Sequence, residues 1–425
     1  MNLPDLAKPD IRLTLDHCVK CNICVTACPV ARVTDLFPGP KYVGPQAQRF
    51  RDDNQPTVDK SVDYCSGCGI CDLYCPHGVK IQEINTKARA KLVSEDGIPL
   101  RNRILSRSEW LGRLAHPVAP LANVFFQMPF SRLIVEKVMG IHHRAPFPRF
   151  SWHTFRGWVK KQHSSRVYLS RQPTTLCQPG EKKVLYFHGC STQYYEPWVG
   201  KAAIAVLEHN GFEVIIPEQN CCGLPLISQG DFDGARRYAY SNLRKLVPWV
   251  RQGYRIVGTS TSCILTLKHD YRRILNVQDE DARLVAEATW DIMEFLRDLH
   301  EHRELKTDFQ PLPANMPYHA PCQLKAHGIG KPALDVLSLI PGFTPVDMDA
   351  DCCGIAGTYG YKREKYEIAM AVGQPLFQSI RETGSDIAIC DSETCRWQIS
   401  HGAGVRAVHP IEVLAAAYGL YSLEK

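Results

Sequence analysis

Between residues 182 and 425, short apolar runs alternate with stretches whose apolar positions recur every three or four residues. The runs 184–187, 213–216, 255–259 and 386–389 have the length and composition of strands, and 201–210, 235–251 and 365–381 have the period of helices. This alternation predicts α/β units with mostly parallel sheets. Upstream, 79–105 places Ile81, Ile84, Ala88, Ala90 and Leu92 among Lys and Arg, a helical pattern. From 101 to 170, Pro117, Pro120, Pro129, Pro146 and Pro148 cut the chain into short helices.

The alternating half is an internal repeat. The first copy has VLYFHGC ending at Cys190, then Cys221-Cys222-Gly223, then TSTSC ending at Cys263. The second has YHAPC ending at Cys322, then Cys352-Cys353-Gly354, then SETC ending at Cys395. Each copy also places a histidine two or three residues before its first cysteine, His188 and His319. In α/β units these cysteines fall at strand C-termini and helix starts, where such sheets build sites and helix N-termini stabilise thiolates. Gly after the cysteine pair permits a turn that aims both sulfurs inward. Cys177 and Cys390 fall outside the repeat and read as inert buried cysteines.

With 425 residues and 44% hydrophobic content, the chain can bury two or three cores. It has 18 cysteines, eight of them in two tight C-x-x-C runs of a long chain, which favours metal over a disulfide framework. Two runs carry the clearest chemistry. Cys18, Cys21, Cys24 and Cys28-Pro29 have a 2-2-3 spacing, and Cys65, Cys68, Cys71 and Cys75-Pro76 repeat it. This is the bacterial two-cluster ferredoxin pattern, in which three close cysteines hold one [4Fe–4S] cluster and the fourth holds the other. The first cluster therefore takes Cys18, Cys21, Cys24 and Cys75. The second takes Cys65, Cys68, Cys71 and Cys28. Ser66, Gly67 and Gly69 leave room for backbone N–H groups to approach sulfur.

The net charge of +6 is too small to imply nucleic acid. Residues 101–170, however, hold twelve Lys or Arg against Glu109 and Glu136, interleaved with Trp110, Phe125, Phe126, Phe130 and further aromatics. Such a segment can lie on an anionic membrane, dock on a partner, or form a solvated linker. The charged N-terminus does not read as a signal peptide, and no apolar run is long enough to span a bilayer.

The ferredoxin part resembles the helical ferredoxin domains of fumarate reductase and succinate dehydrogenase iron–sulfur subunits. The repeated half resembles the CCG (cysteine-rich) domain pair of heterodisulfide reductases, glycolate oxidase iron–sulfur subunits and lactate-utilisation proteins. From about residue 12 to 418, the segments CVKCNICVTACPVARV, ARAKL, PRFSWHTFRGW, FHGC, CCGLPLISQG, CCGIAGTYG and SETCRWQI resemble the C-subunit family of anaerobic glycerol-3-phosphate dehydrogenases. The expected fold is multidomain: a helical di-cluster ferredoxin domain (1–105), a basic aromatic helical linker (106–181), and two repeated α/β CCG domains (182–310 and 311–425).

The resemblance implies an electron-transfer subunit of a hetero-oligomeric oxidoreductase. It would pass electrons from the flavin of partner subunits to membrane quinone, as a peripheral protein on the cytoplasmic face of the inner membrane, and help anchor the complex there. The chain has no G-x-G-x-x-G fingerprint, so substrate oxidation is assigned to partners. An iron–sulfur subunit of a glycolate or lactate oxidase, or of a heterodisulfide-reductase-like complex, is the alternative. Full CCG domains end in C-x-x-C, whereas here Ser260 and Ser392 stand at the first of those positions. Four cysteines per copy (Cys190, Cys221, Cys222, Cys263; Cys322, Cys352, Cys353, Cys395) can hold an ordinary cluster or line a quinone pocket. Cys390, two residues from Ser392, is a candidate substitute.

Overall fold

A computed structural model describes residues 15–51, 56–57, 59–162, 166–173, 176–178 and 180–423. The segment 1–14, which carries most of the N-terminus read above as lacking a leader, lies outside the described residues.

Two parallel sheets form the repeated half. In the first, β1 (Val167–Ser170), β2 (Lys183–Tyr186), β3 (Glu213–Pro217), β4 (Arg255–Gly258) and β5 (Thr289–Asp291) stand in the order β1-β3-β2-β4-β5. In the second, β6 (Ala314–His319), β7 (Phe343–Asp347), β8 (Ile387–Cys390) and β9 (Arg406–Val408) stand in the order β7-β6-β8-β9. Removing β1 leaves the same order in both, so the sequence repeat is a structural one. Val184, Leu185, Tyr186, Ile256 and Val257 are all buried, as expected of strands covered on both faces. The anticipated strands and helices are present, the latter as Pro197–His209, Phe232–Val250 and Tyr366–Glu382.

The basic segment is not purely helical. It contributes β1, which pairs with β3 from Val167↔Val214 to Ser170↔Pro217 and extends the first sheet across the expected boundary at 182. Its helix Phe155–Lys161 seats Phe155 and Val159 in the same core. The pattern over 79–105 is likewise two helices, Ile81–Asp96 and Leu100–Leu105, because Gly97 at φ 79° and Pro99 end the first.

The two sheets share one apolar core, which runs from Val184, Val214 and Phe295 to Tyr318, Ile389 and Leu414. Across it, the Arg396 guanidinium pairs with the Glu196 carboxylate, both nearly inaccessible, and Trp397 Nε1 donates to Glu196 Oε1 at 2.8 Å. Arg396→Ala leaves a buried carboxylate without its cation and is expected to cost about 3–5 kcal/mol. Chemical denaturation should show this, and Arg396→Met with Glu196→Gln should recover part of it.

The ferredoxin part sits against both repeats. Lys365, 1% exposed, donates to the Asp63 backbone carbonyl at 2.6 Å and pairs with its carboxylate. Arg89 Nη1 donates to the Ser228 carbonyl at 2.9 Å.

Candidate metal centres

Two small cavities open among the N-terminal cysteines. The first is lined by Cys18, Cys21, Cys24 and Cys75, with Ile23, Val79 and Ile81 among its apolar walls. The second is lined by Cys28, Cys65, Cys68 and Cys71, with Phe37 and Pro40. Each thus gathers three cysteines of one run and the fourth of the other. The local cause is covalent: short helices, Ile23–Thr26 and Ile70–Leu73, begin after left-handed residues, Asn22 at φ 71° and Gly69 at φ 76°. Those turns wrap the first three thiols, and the last cysteine of each run is carried across.

The donor set fits a cationic thiophilic group. Burial pushes the thiols of Cys24 and Cys28 up to about 11, and those of Cys68 and Cys71 well up. At neutral pH they become thiolates only beside a metal, which inverts this cost. N–H donors for the sulfurs are in place: Ala31 N to Cys28 Sγ at 3.5 Å, Val79 N to Cys75 Sγ at 3.4 Å and Asn85 Nδ2 to Cys65 Sγ at 3.6 Å.

In the first repeat, Cys190 and Cys263 follow β2 and β4, adjacent strands at the switch point of the sheet order, and Cys221-Cys222 follow β3. Hydrogen bonds from Cys190 and Cys222 hold the Cys221 thiol well below its usual range, while the bonds those two groups make push their own thiols up. Cys221 N donates to Glu109 Oε2 at 2.7 Å, Asn242 Nδ2 to Cys221 O at 3.0 Å and Tyr271 Oη to Cys222 O at 2.8 Å. Ser260 caps its helix by accepting from Cys263 N at 3.4 Å and donates to Glu393 of the second repeat at 3.1 Å. It serves the backbone and a neighbouring carboxylate.

In the second repeat, Cys322 and Cys395 follow β6 and β8, and Cys352-Cys353 lie between β7 and the helix Tyr366–Glu382. Cys353 Sγ lies 3.0 Å from Cys395 Sγ. Hydrogen bonds from Cys353 and Cys390 hold the Cys395 thiol well below its usual range. Cys390, fully buried, packs in the same apolar cluster as Cys353 and Cys395. Cys177 stays apart in a half-buried loop beside Glu181. The paired histidines also separate: His188 turns Nδ1 to Gly189 O at 2.7 Å, whereas His319 Nδ1 or Nε2 lies within 4.8 Å of both Cys353 and Cys395 Sγ. Sequence reasoning missed Glu109 and Glu393, which carry no local signal, and offered Cys390 both as an inert core cysteine and as a substitute ligand near Ser392.

The second cavity adjoins the second repeat. Cys68 packs with Ile70, Cys322 and Cys352 in one small apolar cluster. Gly354, at φ 88° after the cysteine pair, has no room for a side chain: an added Cβ would lie 1.9 Å from Ala369 O. Gly223, at φ 93°, has 3.6 Å. Gly354→Ala is expected to lose the second site and several kcal/mol of stability, and Gly223→Ala about 1 kcal/mol; thermal melts of the two variants check this.

The family model described as a 4Fe-4S dicluster domain matches residues 14–79, and that of a cysteine-rich domain matches 184–268 and 316–400. The chain is 37% identical to the C subunit of the anaerobic glycerol-3-phosphate dehydrogenase of Escherichia coli (strain K12), over 95% of this chain and 98% of that protein. It is 34% identical to the B subunit of the fumarate reductase (CoM/CoB) of Methanothermobacter marburgensis, over 56% of this chain and 47% of that protein. It is 27% identical to the D subunit of the dihydromethanophenazine:CoB–CoM heterodisulfide reductase of Methanosarcina barkeri, over 68% and 71%.

Proposed function

The chain belongs to the family of anaerobic glycerol-3-phosphate dehydrogenase C subunits, and from that premise we propose that it conducts electrons from a flavoprotein partner to a membrane quinone. Cys18, Cys21, Cys24 and Cys75 hold one [4Fe–4S] cluster, and Cys65, Cys68, Cys71 and Cys28 the other. Bound there, the clusters supply one-electron transfer, which suits the step between a two-electron flavin and a quinone. The cysteine-rich repeats hold further metal.

The observation that carries this reading is the pair of crossed four-cysteine cavities, with the second packed on the second repeat. Exposed Cys21 leaves the first cavity open towards a partner. Substrate oxidation belongs to that partner, so the purified chain should not oxidise glycerol 3-phosphate.

Iron and acid-labile sulfide per chain, counted on anaerobically purified protein and paired with EPR after reduction, test the reading. About eight irons reside in the ferredoxin part, and iron above that number, removed by Cys222→Ser or Cys353→Ser, places metal in the repeats. Fewer than eight irons in intact protein, or oxidation of substrate by the flavin-free chain, refutes the proposal.

The membrane role rests on a separate feature. Among the described residues no single helix is long and apolar enough to cross a bilayer, but Ser108–Gln127 and Pro129–Met139 meet at 90°. They expose Leu121, Phe130 and Val138 at 74, 75 and 77%. This bent pair lies in the membrane interface.

A further inference from the structure

The two repeats share strand order and cysteine pattern, yet their centres are not equivalent. Three residues before the first cysteine stands Phe187 in the first repeat and His319 in the second. Five residues before the last stands Gly258 in the first and Cys390 in the second. His319 and Cys390 are register partners at the ends of the parallel strands β6 and β8, so both meet the cysteine cluster.

His319 is 1% exposed, and among the described residues neither ring nitrogen has a hydrogen-bond partner. The other buried histidines of the repeats each place a ring nitrogen on a backbone group: His188 on Gly189 O, His327 on Thr261 O, and His409 on Thr259 O. The group of the chain it faces is the Cys395 sulfur; a buried imidazole without a backbone or side-chain oxygen partner is costly, so it is held for a partner shared with that sulfur. A nitrogen of it and the sulfurs of Cys353 and Cys395 all lie within 4.8 Å of one another, the only such set containing cysteine among the described residues.

We propose that His319 is a ligand to an iron centre in the second repeat, joining Cys353 and Cys395, and that the first repeat has no counterpart. This rests on the reading that the repeats hold metal. The first repeat cannot copy the arrangement. Phe187 is fully buried in its apolar core, and a Cβ at Gly258 would meet Ile264 Cδ1 at 2.6 Å and Phe187 O at 2.9 Å. A neutral imidazole in place of a thiolate leaves the centre less negative, which raises its reduction potential. The second repeat, beside the second ferredoxin cavity, is then the more readily reduced of the two.

The test uses the full chain, purified anaerobically with its native metal, beside Cys353→Ser, His319→Phe and His319→Cys. Pulsed EPR on the reduced wild type, grown with ¹⁵N-histidine, is expected to show a directly coupled histidine nitrogen that does not depend on any variant folding. Cys353→Ser and His319→Phe are expected to lose the same iron. His319→Cys is expected to keep it, without the nitrogen coupling and with a lower midpoint potential. If Cys353→Ser loses no metal, the reading of the repeats and the His319 assignment fall together. If it loses iron while the wild type shows no nitrogen coupling, only the His319 assignment falls.

Discussion

Cys75→Ala is expected to empty the site of Cys18, Cys21 and Cys24 and to spare the site of its own run. Iron should fall from about eight to about four in the ferredoxin part, and the EPR signature of two interacting clusters should become that of one. The reason is the crossing of the runs. Cys75 lines the cavity of the first run, and Val79 N, one turn on, is aimed at its sulfur. Cys65, Cys68 and Cys71 line the other cavity, with Cys28. Cys28→Ala should give the mirror result: loss of iron from the site whose Cys68 packs on Cys322 and Cys352, and retention at the site that includes exposed Cys21. Electron delivery to an added quinone should collapse in both variants, because each breaks a series path. Loss of the Cys65–Cys71 cluster on changing Cys75 would contradict the crossed assignment.

The second large effect concerns the bent helix pair. Leu121→Asp with Phe130→Asp is expected to weaken binding to anionic lipid vesicles about 100-fold. Full burial of two such side chains stabilises by about 3–6 kcal/mol, and even the lower value is roughly two decades of affinity. Trp110, Val124, Phe125 and Met128, in or next to the same helices, are exposed as well, an unusual number of large apolar side chains in solvent for one short segment. Exposed Arg103, Arg107, Arg113 and Lys137 lie along these helices and those before them. Each contributes about 1 kcal/mol on an anionic surface, a part that salt screens. Wild-type binding should therefore weaken with salt but persist, and the aspartate variant should be lost even at low salt. Flotation of full-length protein with vesicles measures both. Unchanged flotation of the variant would remove the membrane role and leave the surface to a protein partner.

Most of the ferredoxin site was legible along the chain. Tight cysteine spacing is covalent, so the 2-2-3 runs dictate which three thiols can surround one group, and the two cavities are lined by cysteines in those two sets. The repeat was equally legible, since cysteine intervals that agree within one residue in both copies point to matching strand–helix units. The exposed apolar surface was foreshadowed by Trp and Phe among basic residues, although the strand β1 within that segment was not. Residues 167–170 become a strand because β3 offers them an edge, and no local propensity announces an edge.

Other features lie in contacts between residues far apart in the chain, and these emerged only from the packed molecule. Cys68 meets Cys352, Glu109 meets Cys221, and Glu393 of one repeat meets Ser260 of the other. Packing of a shared core fixes these pairs, and periodicity carries no information about which faces will meet. The inequivalence of the repeats has the same origin. His319 and Cys390 were both singled out along the chain, but only the adjacent parallel strands put them side by side, next to Cys353 and Cys395. Ligand spacing and strand–helix alternation could be read from the residues alone, because both are local. Which centre faces which, and with what ligands, followed only once the sheets had packed.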